Sequence, residues 1–429
     1  MTVYNWSTLT NNQSIAFNPS TDKLTFDSSA ISAASLSLSW VSNTSTSFAY
    51  SGKSVTLLTD VKILTTTNVT FANGCQLVIG NDANNQLRGS AQADYILALG
   101  GDDGLDGGGG NDFIDGGASQ YGDTVFFSGA TVGVNVNLTI GRAEDGQGGV
   151  DTIQNIEHVT GTPYGDTLIG NSSRNFFQPG SGNDYVDGGA GDDVVMYEDA
   201  GAAINVNLIT GVATGQTIGA DTLLSIEALH GSKYSDVIQL GNSGGYVFAR
   251  GGDDTITGGN VNDNIIPGSG NDVINGGNGT DNVDYGDDGY DVLGVSTSGV
   301  NVNLVTGIAI DNWGGTDTLL SIENIGGSNL NDKITGDSGA NGISGNAGDD
   351  TIDGGSGNEW INGGTGNDFI LGGAGDDWIM GSSGNDTIDG GSGQNTAAYN
   401  FGRVTASDLS GVSLVKGAGQ NWTISSGGT

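Results

Sequence analysis

The sequence predicts an all-β solenoid carrying a small β-rich domain at its N-terminal end, and three observations lead there. Glycine supplies 79 of 429 residues against only four prolines. It recurs in phase with aspartate and an apolar residue every nine positions, as in "GGTGNDFILGGAGDDWIMG" at 363–381. Between the glycine-rich arrays lies a second repeated unit with constant internal spacing. Such a composition is compatible with disorder, but disorder has no need of a fixed period.

Residues 1–79 come first and differ from the rest: rich in Ser, Thr, Asn and Val, poor in Gly, with alternating runs such as "SLSLSWV" and "SFAYSGKSVTLL". Ser51-Gly52-Lys53 reads as a hairpin turn. This segment is expected to seal the first coil, because an open solenoid end exposes unpaired strand edges. Cys75 is the one cysteine, so no disulfide or Cys/His metal spacing forms within the chain, and it reads as a buried strand thiol. The solenoid itself spans 80–398. Its nonapeptide arrays run over 80–127, 161–197, 231–294 and 327–398, separated by "VGVNVNL…GGVDTIQNIEHVTG", "AINVNL…GADTLLSIEALHG" and "VNVNL…GTDTLLSIENIGG". "VNVNL" alternates as a half-buried strand does and "TLLSIE" reads as a second strand, so the spacers are expected to be wider coils of one continuous solenoid. Residues 399–429 alternate weakly and suggest a short terminal β segment.

Charge narrows the chemistry. The chain has 49 acidic against 11 basic side chains, a formal charge of -38, which repels nucleic acid and anionic membranes and attracts cations. No stretch reaches the roughly twenty apolar residues of a membrane span, and "MTVYNWSTLTNNQSIAF" has neither the basic nor the apolar region of an ordinary secretion signal.

Within one nonapeptide the last three residues form a minimal strand and the six before it a turn. Ile334, Ile343, Ile352, Ile361, Ile370, Ile379 and Ile388 take the inward position, and stacking them builds a β-branched ladder as the core. Two units make one coil, so residues eighteen apart lie on one side, about 4.8 Å apart along the axis. Asp332, Asp350, Asp368 and Asp386 then form a column of like charge that calls for cations between its members. Carboxylates with turn carbonyls, in loose many-oxygen geometry, suit calcium better than octahedral magnesium.

These units resemble the glycine-rich nonapeptide of RTX (repeats-in-toxin) proteins, G-G-x-G-x-D-x-U-x, over all four arrays. The resemblance implies a parallel β-roll with several calcium ions held between turns by the sixth-position Asp and turn carbonyls. It also implies an extracellular or cell-surface protein, exported by a type I system and folding outside the cell. Carried over, the sixth positions are Asp94, Asp103, Asp112 and, after an insertion, Asp123; then Asp166, Asp184 and Asp193; then Asp236, Asp254, Asp263, Asp272, Asp281 and, shifted by Tyr285, Asp291; then Asp332, Asp350, Asp368, Asp377 and Asp386. Asn85, Asn175, Gly245, Asn341 and Asn395 fill the slot without charge, and Glu359 is one methylene longer. The column Asp332 to Asp386 is therefore expected to load fully, and the opposite column through Asn341, Glu359, Asp377 and Asn395 more weakly.

Other signals carry less. "GNSGG" around Ser243 matches the G-x-S-x-G elbow and "GDSGA" at Gly336 a serine-protease string, both inside nonapeptides without a strand-to-helix context. His158 and His230 read as surface histidines; with no H-E-x-x-H the chain is not a serralysin-like zinc protease. Asp284–Asp291 faintly matches an EF-hand loop, but glycine-rich flanks disfavour its helices. Carboxylates abound, yet nearly all occupy turn positions the metal reading already explains. Trp360 and Trp378 fall one coil apart on an outward face, with Phe369 opposite. They suggest either a ladder protecting the sheet or a platform for self-assembly, glycan or surface contact. The expected role is structural or adhesive, in a surface layer, matrix or adhesin, without chemistry of its own. The competing reading is an export and folding module of a secreted, for example polysaccharide-acting, enzyme whose catalytic domain lies outside this chain.

Overall fold

The computed structural model describes residues 1–42, 44–286, 296, 298–399, 413–415 and 421–426. The chain divides into two compact units: 1–196 with 218–226, and 197–217 with 227–429. Nearly every element is a short β-strand, and the rolls are built from long runs of parallel strands.

In the first unit, Val3–Asn5, Lys23–Phe26 and Val69–Phe71 form a parallel three-stranded sheet. Gln13–Ile15, Lys53–Leu57, Ser45–Tyr50 and Ser37–Ser42 form a second sheet. The hairpin at Ser51-Gly52 is present: Tyr50 pairs with Lys53, and Ser51 and Gly52 have φ of 49° and 80°, the two left-handed residues of a type I′ turn. Apolar residues from this region, among them Trp6, Phe26, Phe48 and Leu57, share one core with Leu77, Tyr95 and Leu97 of the first coils. Leu77–Ile79 pairs in parallel with Tyr95–Leu97, so the roll begins one strand inside the segment read as the N-terminal domain. Cys75 is buried and accepts the Ala33 N–H at 3.0 Å, but it lies on the approach to that strand rather than in it.

The eighteen-residue step is the register of the roll. Tyr95 pairs with Phe113 and Thr167 with Tyr185 in the first unit. In the second, Ile334, Ile352, Ile370 and Ile388 stack as one column, and Ile343, Ile361 and Ile379 as another. All seven isoleucines are fully buried. At the C-terminal end, Ser413–Val415 and Asn421–Ser426 pair in parallel with Thr387–Asp389 and Gln394–Tyr399.

The spacers are more than wide coils. In the first unit, Asn135–Asn137 pairs in parallel with Thr167–Ile169 of the following array. The chain then doubles back through the antiparallel strand Arg142–Glu144 to Val150–Gln154, which pairs in parallel with Phe113–Asp115 of the preceding array. The third spacer repeats this reversal in the second unit with Asn301–Asn303, Ile308–Ile310 and Thr316–Leu320. The expected half-buried "VNVNL" strand is confirmed, its Val side chains inward. The "TLLSIE" strand instead breaks at Asn155, Ser225 and Ser321, whose φ of 51–52° turns the chain into a further strand.

Candidate metal-binding turns

Each turn places its sixth residue at the edge of the groove between coils. Every described sixth-position aspartate is buried, none more than 3 % exposed. The first carboxylate oxygen has a structural duty: Oδ1 accepts the backbone N–H of the sixth residue one coil earlier. Asp94 donates to Asp112 at 2.7 Å, Asp166 to Asp184 at 2.8 Å, Asp236 to Asp254 and Asp254 to Asp272 at 2.7 Å, and Asp263 to Asp281 at 2.8 Å. In the last array the same bonds join Asp332 to Asp350, Asp350 to Asp368 and Asp368 to Asp386 at 2.8, 3.0 and 3.1 Å. Asp123 holds its place despite the insertion, accepting from Asp103 at 2.7 Å, and Asp193 accepts from Asn175 at 2.7 Å. In the opposite column, Glu359 donates to Asp377 at 3.2 Å and Asp377 to Asn395 at 2.9 Å. Asp291 lies outside the described residues, as does most of the EF-hand-like stretch.

The second oxygen divides the turns into two classes. In closed turns the N–H of position 2 caps the sixth side chain: Thr162 donates to Asp166 Oδ2 at 2.6 Å, Ser232 to Asp236 and Ser328 to Asp332 at 2.7 Å, and Gly259 to Asp263 at 2.6 Å. Ser90 does the same to Asp94. The hydroxyls of Thr162, Ser232 and Ser328 add bonds of 2.8, 2.7 and 2.6 Å to Oδ1. Asn85, Asn175 and Asn341 are likewise capped by Asn81, Asn171 and Asp337, each at 2.8 Å. In open turns no N–H arrives. Oδ2 of Asp103, Asp112, Asp123, Asp184, Asp254, Asp272, Asp281, Asp350, Asp368 and Asp377 is buried without a hydrogen-bond partner. The backbone supplies the reason: position 2 of open turns is left-handed, as at Gly108 (86°), Gly268 (80°), Gly277 (98°), Gly364 (100°) and Gly373 (106°), and even at Leu99 (81°), Arg250 (79°) and Asn346 (68°). No closed-turn position 2 has positive φ, so only there does its N–H face the carboxylate.

Burial and stacking make several of these carboxyls resist ionisation. Burial, with Asp272 and Asp236 adding repulsion, pushes Asp254 up to about 10. Burial also raises Asp112 and Asp184 to about 8, Asp123 and Asp350 to about 7 and Asp368 to about 6, neighbouring acids contributing. The groove is lined by further oxygens. A Cβ placed on Gly345 would strike both Asp350 Oδ2 and the Gly363 carbonyl oxygen; one on Gly363 or Gly372 would strike the unpaired oxygen of Asp368 or Asp377. Among the described residues no three acidic, His or Cys side chains converge on one point. A cation here would therefore be held by single carboxylates together with turn carbonyls. That donor set fits a hard, many-coordinate ion.

Several ladder members come from the spacers, where period-nine reasoning does not look. Asp112 donates to Asp151 Oδ1 at 2.9 Å, Asp184 to Asp221 and Asp272 to Asp317 at 3.0 Å, while Asp123 and Asp281 donate to Glu157 and Glu323 at 2.9 Å. A signal existed: "VDTI", "ADTL" and "TDTL" reproduce the Asp-x-apolar end of the nonapeptide.

The remaining motifs fall elsewhere. Ser243 and Ser338 lie exposed in bends that lead into strands, not helices. His158 is partly buried, its Nε2 2.9 Å from the Tyr121 carbonyl. His230 corrects the surface reading: it is buried, because Glu198, itself paired with Arg250 at 2.7 Å, meets its Nδ1 at 2.8 Å and Phe248 packs against its ring. Trp360 and Trp378 stack with ring centroids 5.5 Å apart and planes 12° apart, while Phe369 stands on the other sheet. No helix among the described residues is long and apolar enough to cross a membrane.

A family model described as the RTX calcium-binding nonapeptide repeat (4 copies) matches residues 79–118, 160–195, 257–293, 326–361 and 362–397. These segments fall within all four arrays, although the turns of Asp123, Asp236 and Asp254 lie outside them and keep the same hydrogen-bond pattern. No curated protein matches the chain.

Proposed function

We propose, from arrays that match the RTX calcium-binding nonapeptide repeat, that several calcium ions complete the open turns and thereby drive folding outside the cell. The observation that carries this reading is the row of buried carboxylate oxygens with no partner, those of Asp112, Asp123, Asp281, Asp350, Asp368 and Asp377 lying against the first glycine of their own turn. Bound calcium supplies positive charge among them. The chain does the rest: Oδ1 ties each coil to the one before, Oδ2 and the turn carbonyls face the ion, and the isoleucine ladder excludes water behind them. Asp103, Asp112, Asp350, Asp368 and their open-turn counterparts are the ligands in this reading; Asp94, Asp166, Asp236, Asp263 and Asp332, already capped, are not.

The role is structural or adhesive rather than catalytic, in a protein delivered to the cell surface or matrix by a type I route. The acidic surface and the stacked Trp360–Trp378 pair support it, the indoles being the site for self-assembly or glycan contact. Circular dichroism of the EDTA-stripped chain, titrated with calcium, tests the folding claim: strand signal should rise with calcium. A complete signal in EDTA would overturn it. Calcium-dependent attachment to cells or glycan, or self-association, lost in a Trp360→Ala, Trp378→Ala double variant, tests the adhesive claim.

A further inference from the structure

Two spacers carry an acidic residue that belongs to no nonapeptide. Asp145 stands six residues before the ladder aspartate Asp151, and Asp311 six before Asp317, within "DGQGGVD" and "DNWGGTD"; the middle spacer has Gly215 at the equivalent position. Both are fully buried. Asp145 Oδ1 accepts the N–H groups of Gln147 and Gly149, each at 2.8 Å, and Asp311 Oδ1 those of Trp313 and Gly315 at 2.9 and 2.7 Å. Those bonds fix each carboxylate through Oδ1; of the second oxygens, Asp311 Oδ2 accepts only a long hydrogen bond, 3.4 Å, from the Gly270 N–H. Asp145 Oδ2 has no hydrogen-bond partner, and neither has Oδ2 of Asp112. A Cβ on Gly149 would strike Asp145 Oδ2 and the Gly110 carbonyl oxygen together; a Cβ on Gly315 would meet Asp311 Oδ2 and strike the Gly270 carbonyl oxygen. Gly110 and Gly270 each lie two residues before a ladder aspartate, Asp112 or Asp272, whose own Oδ2 is unpaired. A carboxylate Oδ2 beside a glycine carbonyl oxygen thus recurs in both units, unpaired at Asp145 and weakly bonded at Asp311. Burial, then neighbouring acids that include Asp145, holds Asp112 and Asp151 well above the usual carboxylate range.

We propose that spacers one and three each hold an additional divalent cation, calcium, between the Asp145 carboxylate and the Gly110 carbonyl in one case, and between Asp311 and the Gly270 carbonyl in the other. Asp112 with Asp151, and Asp272 with Asp317, supply the surrounding negative charge. These sites sit where the chain reverses, so they pin the antiparallel excursion to the preceding array. The inference rests on calcium being the ion of the roll.

The experiment counts calcium per folded chain by equilibrium dialysis and elemental analysis, in the full chain and in Asp145→Asn, Asp311→Asn and the double variant. Asparagine keeps the Oδ1 acceptor. The expected result is one ion fewer in each single variant and two fewer in the double, with strand content at saturating calcium unchanged. Terbium luminescence sensitised by Trp313, read as the difference between wild type and Asp311→Asn, follows the third spacer separately and should fall in the variant. Folded single variants with wild-type stoichiometry overturn the proposal. Should either variant fail to fold, undiminished terbium emission in Asp311→Glu, where the longer side chain displaces the oxygen, overturns it instead. A wild-type chain that takes up no calcium defeats the function proposed above; a loaded wild type with equally loaded variants defeats only this inference.

Discussion

The turns around Asp332 and Asp368 stand in the same column, two coils apart, and solve one electrostatic problem in different ways. Ser328 donates its N–H and hydroxyl to Asp332, so that carboxylate is satisfied by its own turn. Gly364 turns left-handed at the equivalent position, and Asp368 Oδ2 is left buried and unpaired. The contrast recurs along the chain. Closed turns cluster at the start of each array, at Asn85 and Asp94, Asp166 and Asn175, Asp236, then Asp332 and Asn341, with Asp263 a closed turn inside the third array; open turns dominate the remainder of each. An array thus begins on turns that hydrogen bonding completes and continues mainly on turns that leave a carboxylate oxygen unpaired. The teaching is thermodynamic: a coil made of closed turns can be native before metal arrives, while an open turn carries the cost of an unsatisfied buried charge until it is neutralised.

That comparison breaks most visibly under pH. Asp112, Asp184, Asp254, Asp350 and Asp368 have folded-state values raised above their unfolded ones, so their contribution favours folding fully below about pH 4. It is lost as pH climbs through about 6 to 8 for Asp368, Asp350, Asp112 and Asp184, and higher for Asp254. In EDTA, strand signal should therefore grow on acidification from pH 8 to 4, and in saturating calcium it should be nearly flat across that range. A metal-free chain unfolded equally at both pH values would break the account.

Backbone substitution comes next in size. Gly364→Ala forces a side chain into φ of 100° and against the Asn346 carbonyl; a loss of about 2–3 kcal/mol is expected, read by urea unfolding in calcium. Charge removal sharpens the distinction between classes. Asp368→Asn should lose one ion's contribution, about 1.4 kcal/mol at calcium ten times its Kd, whereas Asp332→Asn should leave the calcium midpoint where it was. Equal shifts in the two midpoints would erase the distinction. Ser328→Ala keeps the N–H cap and loses the hydroxyl, so about 1 kcal/mol should disappear at every calcium concentration alike. Smallest is Trp378→Ala, which removes a stacked, partly exposed ring; about 0.5–1.5 kcal/mol is expected in thermal unfolding, with calcium dependence intact.

Much of this was legible in the residues. A nine-residue period with an inward Ile and an eighteen-residue coil predicts the columns that Ile334 and Asp332 head, because side-chain type repeated at a fixed spacing needs no tertiary information to be stacked. The expected full loading of the Asp332 column rests on letters alone, and Asp332 and Asp368 are the same letter at the same position. What separates them is the φ of the residue four places earlier, and Asn346 and Arg250 show that composition alone does not reveal it: neither is glycine, yet both are left-handed.

The sequence by itself determined the repeating unit, the inward ladder, the abundance of carboxylates and the class of ion they call for, all properties of nine to eighteen consecutive residues. Only the tertiary structure decided which carboxylate oxygens remain unpaired and which spacer residues join the groove. Asp112 meets Asp151 across 39 residues and Asp272 meets Asp317 across 45, after an antiparallel reversal that no periodicity encodes. Hydrogen-bond satisfaction is a property of neighbours in space, and here those neighbours arrive from turns whose backbone sign is set when successive coils pack together.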